Sequence, residues 1–194
     1  VDARALGDER LAVLRDFVSD GGGLVVLGGY WAFQRGGYAG TPLAEMLPVH
    51  WTEKDELRAH PGGALLAAPT QATWKLDAKL TDAPRAFYLH DFAAKENATV
   101  QIIAGQQPAV VTGNFGRGRV VACGLTIHGK AAPGTTAFWN SPGWLRVLGH
   151  AVEWAGENRP LQPGEAGGTA LKPLTDDELL QLRLEGKAVS AELL

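Results

Sequence analysis

The residues best placed to do chemistry lie in a glycine-rich segment near the N-terminus. An apolar run ends at Gly28 and Gly29, and Tyr30, Trp31 and Ala32 follow. A strand-to-helix elbow that carries a nucleophile has the pattern G-x-(Ser/Cys)-x-G, because small neighbours permit the strained turn that exposes the reactive atom. The glycines are present here, but Tyr30 lies where the Ser or Cys is expected. The sequence therefore predicts an elbow without a catalytic nucleophile.

Three other features invite a catalytic or metal-binding interpretation. His128 follows an apolar strand, where it could be a remnant general base, a proton carrier or a polar residue that closes a loop. The last interpretation is favoured, because a catalytic His needs a nucleophile or metal within reach. Cys123 lies in the apolar run VVACGL, and burial there predicts an unreactive thiol. His90 and Asp91 are adjacent on a strand and point to opposite faces, so they are not expected to bind one metal ion together. We expect no cofactor.

Aromatic residues cluster in sequence after the elbow and before the last core helix. If they rim one cleft, they offer stacking platforms for a sugar or a planar ligand. If they seal the top of the sheet, they are part of the core, and this interpretation is favoured. The residues that a ligand site at this end would use are Gly28, Gly29, Tyr30, Trp31, Gln34, His128, Trp139 and Asn140.

Apolar spacing predicts the elements that position these residues. The run from Leu24 to Leu27 is apolar on both faces, which indicates a central parallel strand covered by helices. Glycine at its carboxyl end is expected to permit the turn, so that Gly29→Val should be destabilising through strain. The other predicted elements are helices over 8–19, 42–48 and 142–156, strands over 98–104, 109–112 and 119–125, and a hairpin turn over 114–118. The apolar spacing predicted for the last helix is formed by Leu145, Leu148, Val152 and Ala155, and Trp144 and Trp154 are expected to supply large buried surfaces.

Three separated motifs carry a family resemblance. They are VSDGGGLVVLGGYWAFQRGGYAGTPLAEMLPV, GNFGRGRVVACGLTIHG and NSPGWLRVLGHAVEWAG. Together they resemble the class I glutamine amidotransferase-like superfamily, and within it the uncharacterised "putative glutamine amidotransferase" branch related to trehalose-utilisation-type proteins. The resemblance covers roughly residues 8–156. It implies a flavodoxin-like α/β fold, with a doubly wound, mostly parallel sheet flanked by helices and an antiparallel hairpin near the C-terminal part.

The same resemblance bears on activity. Members with glutaminase activity have a Cys at the elbow and a His-x-Glu pair after a later strand. In this chain Tyr30 lies near the Cys position, His128 near the His position, and Lys130 where the Glu would be. The resemblance therefore implies the fold, with Tyr30 and His128 as vestigial positions, and does not imply the activity.

Composition narrows the classes of partner. A net charge of −3 and a hydrophobic content of 45% favour a globular domain and give no reason to expect binding to nucleic acid or an anionic membrane. The uncharged stretch from Gly21 to Gln34 is too short and too glycine-rich to span a bilayer. A single cysteine is compatible with a reducing compartment, which slightly favours the cytoplasm.

The chain is expected to have three parts. Residues 1–156 form the α/β domain, residues 157–173 a Pro/Gly linker, and residues 174–194 a tail with a leucine-rich helix that docks on this domain or a partner. Because the family pattern has strands before the first helix, the domain is expected to be incomplete at its N-terminus and the chain to be a fragment.

Three functions follow from these observations. The favoured one is a non-catalytic amidotransferase-like module that is structural or mediates contacts in a longer protein or complex. Its partner would be another protein or the missing N-terminal part of the same protein. The alternatives are a small-ligand module of the carbohydrate-binding type, and a hydrolase or amidotransferase that uses His128 with an unidentified nucleophile.

Overall fold

A computed structural model of the chain describes residues 2–51, 55–74 and 82–157. The α-helices in this part are Ala3–Leu6 (α1), Asp8–Ser19 (α2), Pro42–Met46 (α3) and Pro142–Gly156 (α4). The strands are Gly23–Leu27 (β1), Val49–His50 (β2), Leu57–Ala67 (β3), Arg85–His90 (β4), Ala93–Ala94 (β5), Thr99–Ala104 (β6), Gln107–Phe115 (β7) and Gly118–Cys123 (β8). A short 3-10 helix covers Phe138–Asn140.

Six strands form one sheet in the order β1-β8-β7-β6-β3-β4, and β2 pairs with β5 in a second, two-stranded sheet. The predicted α/β class and the β7–β8 hairpin are confirmed. The sheet is mixed, however, because β1 and β8 are parallel while the other described pairs are antiparallel. Two-residue connections after β6 and β7 account for the β6–β7 and β7–β8 pairs, since such short turns can join only antiparallel neighbours.

Helices α2 and α4 cover opposite faces of the β1–β8 pair. Val120 and Ala122 of β8 pack in the same cluster as Leu11 of α2, whereas Val121 and Cys123 pack in the cluster that contains α4. Alternate residues of a strand point to opposite faces, so this division places one helix on each side. The structure thus explains why β1 is apolar on both faces.

The expected central position of β1 is wrong for the described sheet, where β1 is an end strand. It pairs with β8 from Gly23 opposite Arg119 to Leu27 opposite Cys123, and no other described strand pairs with it. Helices alone can bury both faces of a strand, so an apolar run does not establish that strands lie on both of its edges.

Strand β4, at the other end of the sheet, returns to the segment that follows β8. Leu89 forms an isolated antiparallel bridge with Leu125. The His90 amide donates to the Gly124 carbonyl at 2.9 Å, and the Thr126 amide donates to the Tyr88 carbonyl at 3.2 Å. These contacts bring the end of β4 to the end of β1, where the elbow lies.

The bounds of α2 and α4 agree with the predicted helices, and Trp144 and Ala155 are buried as expected, but part of the predicted apolar face of α4 is exposed. Its buried residues are Trp144, Val147, Ala151 and Ala155. Leu145 and Val152 are 69% and 62% exposed. Apolar residues occupy two neighbouring faces of this helix, and only packing against the sheet selects between them.

Beyond Glu157, the predicted linker and the predicted tail helix lie outside the described residues. Among the residues that are described, no helix is long and apolar enough to cross a membrane.

Candidate site at the elbow

The chain leaves β1 through Gly28 and Gly29, and only the first of these is crowded. A Cβ on Gly28 would lie 2.5 Å from the Leu125 carbonyl oxygen, so the backbone approaches too closely for any side chain. A Cβ on Gly29 would meet nothing within 4 Å. The steric requirement that the sequence pattern assigns to Gly29 therefore belongs to Gly28.

The side chains that follow the elbow form an exposed aromatic group. Tyr30 is 46% and Trp31 is 56% exposed, and their rings meet edge to face at 5.1 Å between centroids. The exposed His128 ring lies 6.2 Å from Tyr30 and 4.6 Å from Tyr88. The Arg35 guanidinium lies over the Tyr30 ring at 4.2 Å. The structure thus brings together Tyr30, Trp31 and His128, here called the aromatic surface, and the family resemblance implies that Tyr30 and His128 lie close together.

Other aromatic residues of the same segment are part of the core. Phe33 and Tyr38 are buried, and Phe33 packs against His90 at 4.8 Å and Phe92 at 5.4 Å. Phe33 has a φ of 52°, in the left-handed region that non-glycine residues rarely adopt. The aromatic cluster seen in sequence is therefore divided between an exposed part and a sealing part.

The remaining predicted ligand residues have structural contacts. The side-chain oxygen of Gln34 accepts a hydrogen bond from the Trp51 indole at 2.6 Å. Trp139 is half-buried and packs against Phe87 and Phe138, with centroids at 6.4 and 5.1 Å. Asn140 is exposed at the end of the 3-10 helix. None of the described ring contacts of Trp139 is with a residue of the aromatic surface.

A buried Glu56–His90 pair lies beneath the elbow, and sequence reasoning misses it. His90 Nδ1 lies 3.0 Å from Glu56 Oε1, and both side chains are almost fully inaccessible. His90 Nε2 lies 3.0 Å from the Gly29 carbonyl oxygen. The backbone N–H of Gln34 donates to Glu56 Oε1 at 3.0 Å. A histidine bonded to a carboxylate on one side and aimed at the elbow on the other has the arrangement of a general base, but here it meets a backbone carbonyl.

The register of the β3–β4 pair creates this contact. His90 lies opposite Leu57, which places it beside Glu56, although 34 residues separate the two in sequence. The one signal in the sequence is a histidine at the end of the apolar strand AFYLH, a pattern that by itself suggests no partner for the imidazole. Among the described residues, no group of three or more His, Cys, Asp or Glu side chains could hold a metal ion.

The single cysteine, Cys123, lies on β8 opposite Leu27 of β1 and is buried. Burial raises the pKa of the Cys123 thiol to about 12. A thiol with this pKa is protonated at neutral pH, and the thiolate is the nucleophilic form. The elbow end thus has a histidine–glutamate pair and an exposed histidine, but Cys123 supplies it with no activated nucleophile.

The two-faced α/β core and the glycine elbow define an amidotransferase-like domain. The chain belongs to the family described as "putative glutamine amidotransferase", whose model matches residues 3–154. No curated protein sequence matches the chain.

Two solved structures from Salmonella typhimurium are similar to the chain. Cytoplasmic protein STM3548 superposes with a TM-score of 0.66 at 22% identity, and the match covers 75% of this chain and 60% of that one. Cytoplasmic protein STM1381, from strain LT2, superposes with a TM-score of 0.59 at 26% identity, covering 76% of this chain and 58% of that one. The chain therefore spans about three fifths of the length of these relatives.

Proposed function

We propose that this chain is a non-catalytic amidotransferase-like domain whose elbow end mediates contacts within a longer protein or complex. The observation that carries the proposal is the exposure of Tyr30 and Trp31 where an active member of the superfamily has its nucleophile. A reaction site holds its reactive atom in a cleft, whereas aromatic side chains that project into solvent are typical of contact surfaces.

The groups around the elbow support the absence of glutaminase chemistry. Acyl transfer from glutamine needs an activated nucleophile with a base in hydrogen-bond reach. The Cys123 thiol is buried, and burial raises its pKa to about 12. His90 has both ring nitrogens occupied, and His128 is packed beside two tyrosine rings.

The apolar character of this end supports a contact role. Leu27, at the end of β1, and Ile127, next to His128, are 48% and 69% exposed. They add exposed apolar surface next to the elbow and next to His128. Clustered exposed apolar residues on a folded domain commonly mark interaction sites.

Two measurements test the proposal. Incubation with glutamine should release no ammonia above background, and release that disappears in His128→Ala would contradict the non-catalytic assignment. A photo-crosslinking amino acid at position 31 should capture one defined protein in an extract of the source organism. Addition of Tyr30→Ala should abolish that capture, and a crosslinker at the exposed Val13 on α2 serves as the matched control.

A small-ligand module is the second candidate, because the aromatic surface combines stacking rings with polar groups. Tyr30, Tyr88 and His128 lie in ring contact, and the Arg35 guanidinium covers Tyr30, an arrangement that could stack on and hydrogen-bond a carbohydrate. Titration with trehalose and other sugars, followed by intrinsic tryptophan fluorescence, tests this candidate. A saturable change that is lost in Tyr30→Ala would favour it over a protein contact.

Location is part of the same proposal. The two Salmonella relatives are named as cytoplasmic proteins, and the single buried cysteine is compatible with a reducing compartment. We therefore place this domain in the cytoplasm, which fractionation of the source organism would test.

A further inference from the structure

Burial of the Glu56–His90 pair costs free energy, and the proposed function gives the pair no reaction to perform. Both side chains are almost fully inaccessible, and within the described residues Glu56 Oε2 has no hydrogen-bond partner. Removing a carboxylate and an imidazole from water costs several kcal/mol, which the attraction between them only partly offsets. Apolar residues of similar size would fill the same space without this cost, so the polar pair calls for a role that apolar residues cannot perform.

The hydrogen bonds of the pair connect the elbow to two other segments. The Gly29 carbonyl accepts from His90 Nε2, and Glu56 Oε1 accepts from the Gln34 amide, so both ends of the elbow loop are held. The backbone of the pair is itself anchored. The Glu56 carbonyl accepts from the Asp91 amide at 2.7 Å, and the His90 amide donates to Gly124 at 2.9 Å.

The hydrogen-bond partners of His90 indicate where its ring protons lie. A carbonyl oxygen only accepts, so Nε2 of His90 carries a proton toward Gly29. One further proton lies between Nδ1 and Glu56 Oε1, on either atom. The pair is neutral overall in both arrangements, and the hydrogen bond from His90 Nε2 to the Gly29 carbonyl is the same. The two side chains therefore function as one donor unit.

The loop that they hold has little other regular structure. Between the end of β1 and the start of α3, no residue belongs to a helix or strand. Turn hydrogen bonds, such as Ala32 to Gly29 at 3.1 Å, shape it locally. Tyr30 and Trp31 lie between the two points where the pair attaches, so their position depends on these attachments.

We propose that Glu56 and His90 are a buried latch that positions the elbow loop, residues 28–34, and thereby presents Tyr30 and Trp31 for contact. This rests on the proposed function of the aromatic surface. Glu56 and His90 are positioning residues, since neither reaches the surface.

The His150–Glu153 pair on α4, which is partly exposed, is a matched control, with Nδ1 of His150 3.9 Å from Oε2 of Glu153. Variants Glu56→Ala, Glu56→Gln, His90→Gln, His150→Gln and Glu153→Gln would be compared by amide hydrogen exchange. Glu56→Gln keeps an acceptor for the Gln34 backbone amide but removes the carboxylate oxygen that shares a proton with Nδ1. We expect exchange of residues 29–34 to accelerate about tenfold in Glu56→Gln and more in Glu56→Ala, with no change in the α4 variants.

Two further readouts separate positioning from general stability. The double variant Glu56→Gln/His90→Gln should accelerate exchange no more than either single variant, because the two groups act as one unit. In proton NMR, the wild type should show a downfield signal from the proton shared by His90 Nδ1 and Glu56 Oε1, and Glu56→Gln should abolish that signal. If Glu56→Ala does not fold, the Gln variants decide the result.

Failure of the latch and failure of the contact function give different results. Unchanged exchange of residues 29–34 in a folded Glu56→Gln would overturn the latch, whatever the crosslinking at position 31 shows. Faster exchange together with undiminished crosslinking would overturn the positioning role. No crosslinking in the wild type, with the exchange pattern as expected, would count against the contact function alone.

Discussion

Two histidines lie next to the elbow and have opposite environments. His90 is fully buried, and both of its ring nitrogens are in hydrogen-bond contact with Glu56 and Gly29. His128 is exposed, and its ring lies against those of Tyr30 and Tyr88. One end of this domain therefore has a closed polar layer beneath an open aromatic one. In the proposed function, the buried residues hold the loop and the exposed residues offer the contact surface.

The variant with the largest expected effect removes one half of the closed layer. Glu56→Ala leaves His90 buried without its partner, which by analogy with other buried pairs costs about 3–5 kcal/mol in the free energy of unfolding. Urea denaturation measures this loss. Glu153→Ala, which removes the carboxylate of the exposed pair, should change stability by less than about 0.5 kcal/mol. Equal effects of the two variants would show that burial of Glu56 has no energetic consequence.

Adjacent glycines at the elbow give the next largest difference. Gly28→Ala places a methyl group 2.5 Å from a backbone oxygen, which must move, and should cost about 1–3 kcal/mol. Gly29→Ala enters open space and should remain within about 0.5 kcal/mol of the wild type. Thermal unfolding of both variants tests this order. The reverse order would restore the expectation that Gly29 bears the strain.

The open aromatic layer should be nearly neutral for stability. Tyr30→Ala and Trp31→Ala each remove side chains that are about half exposed, so we expect at most about 1 kcal/mol of destabilisation. Contacts at this surface should nevertheless be lost, as measured by crosslinking from position 31 in Tyr30→Ala. A large fall in stability would mean that the aromatic surface belongs to the core.

At neutral pH, the smallest expected effect on the free energy of unfolding is that of a pH change acting through the Cys123 thiol. Its pKa is about 12 in the folded chain against an ordinary value of 9.0, so the unfolded chain loses the thiol proton first. This contribution to stability is fully present below pH 9 and is lost as pH rises toward about 12. At a pH of about 8, below both pKa values, a thiol reagent should label Cys123 only after unfolding. Rapid labelling of the native chain would contradict the burial.

The elements with strong local signals could be predicted well from the sequence. The helix over Asp8–Ser19 and the helix over Pro142–Gly156 have the expected bounds, because caps and apolar periodicity are local properties. The hairpin turn at Gly116 is a similar case, with a φ of 57°. The buried face of α4 could be predicted only in part, since two apolar faces of that helix have helical spacing and only packing against the sheet selects between them.

The candidate site could be predicted only in part. The family resemblance implies that Tyr30 lies near His128, and the structure shows why, since both follow neighbouring parallel strands. Trp139, by contrast, is grouped with the elbow only by aromatic content, and its described ring contacts are with Phe87 and Phe138. Composition gives no distance between loops, so this grouping has no geometric basis.

The sequence by itself determined the family and the buried character of Cys123, because each depends on residue type in a local pattern. Only the tertiary structure decided that Glu56 meets His90 and that His90 holds Gly29. These contacts arise from the register of β3 with β4 and from the return of β4 to the segment after β8. Register and closure depend on packing of the whole sheet, and no local stretch of residues contains that information.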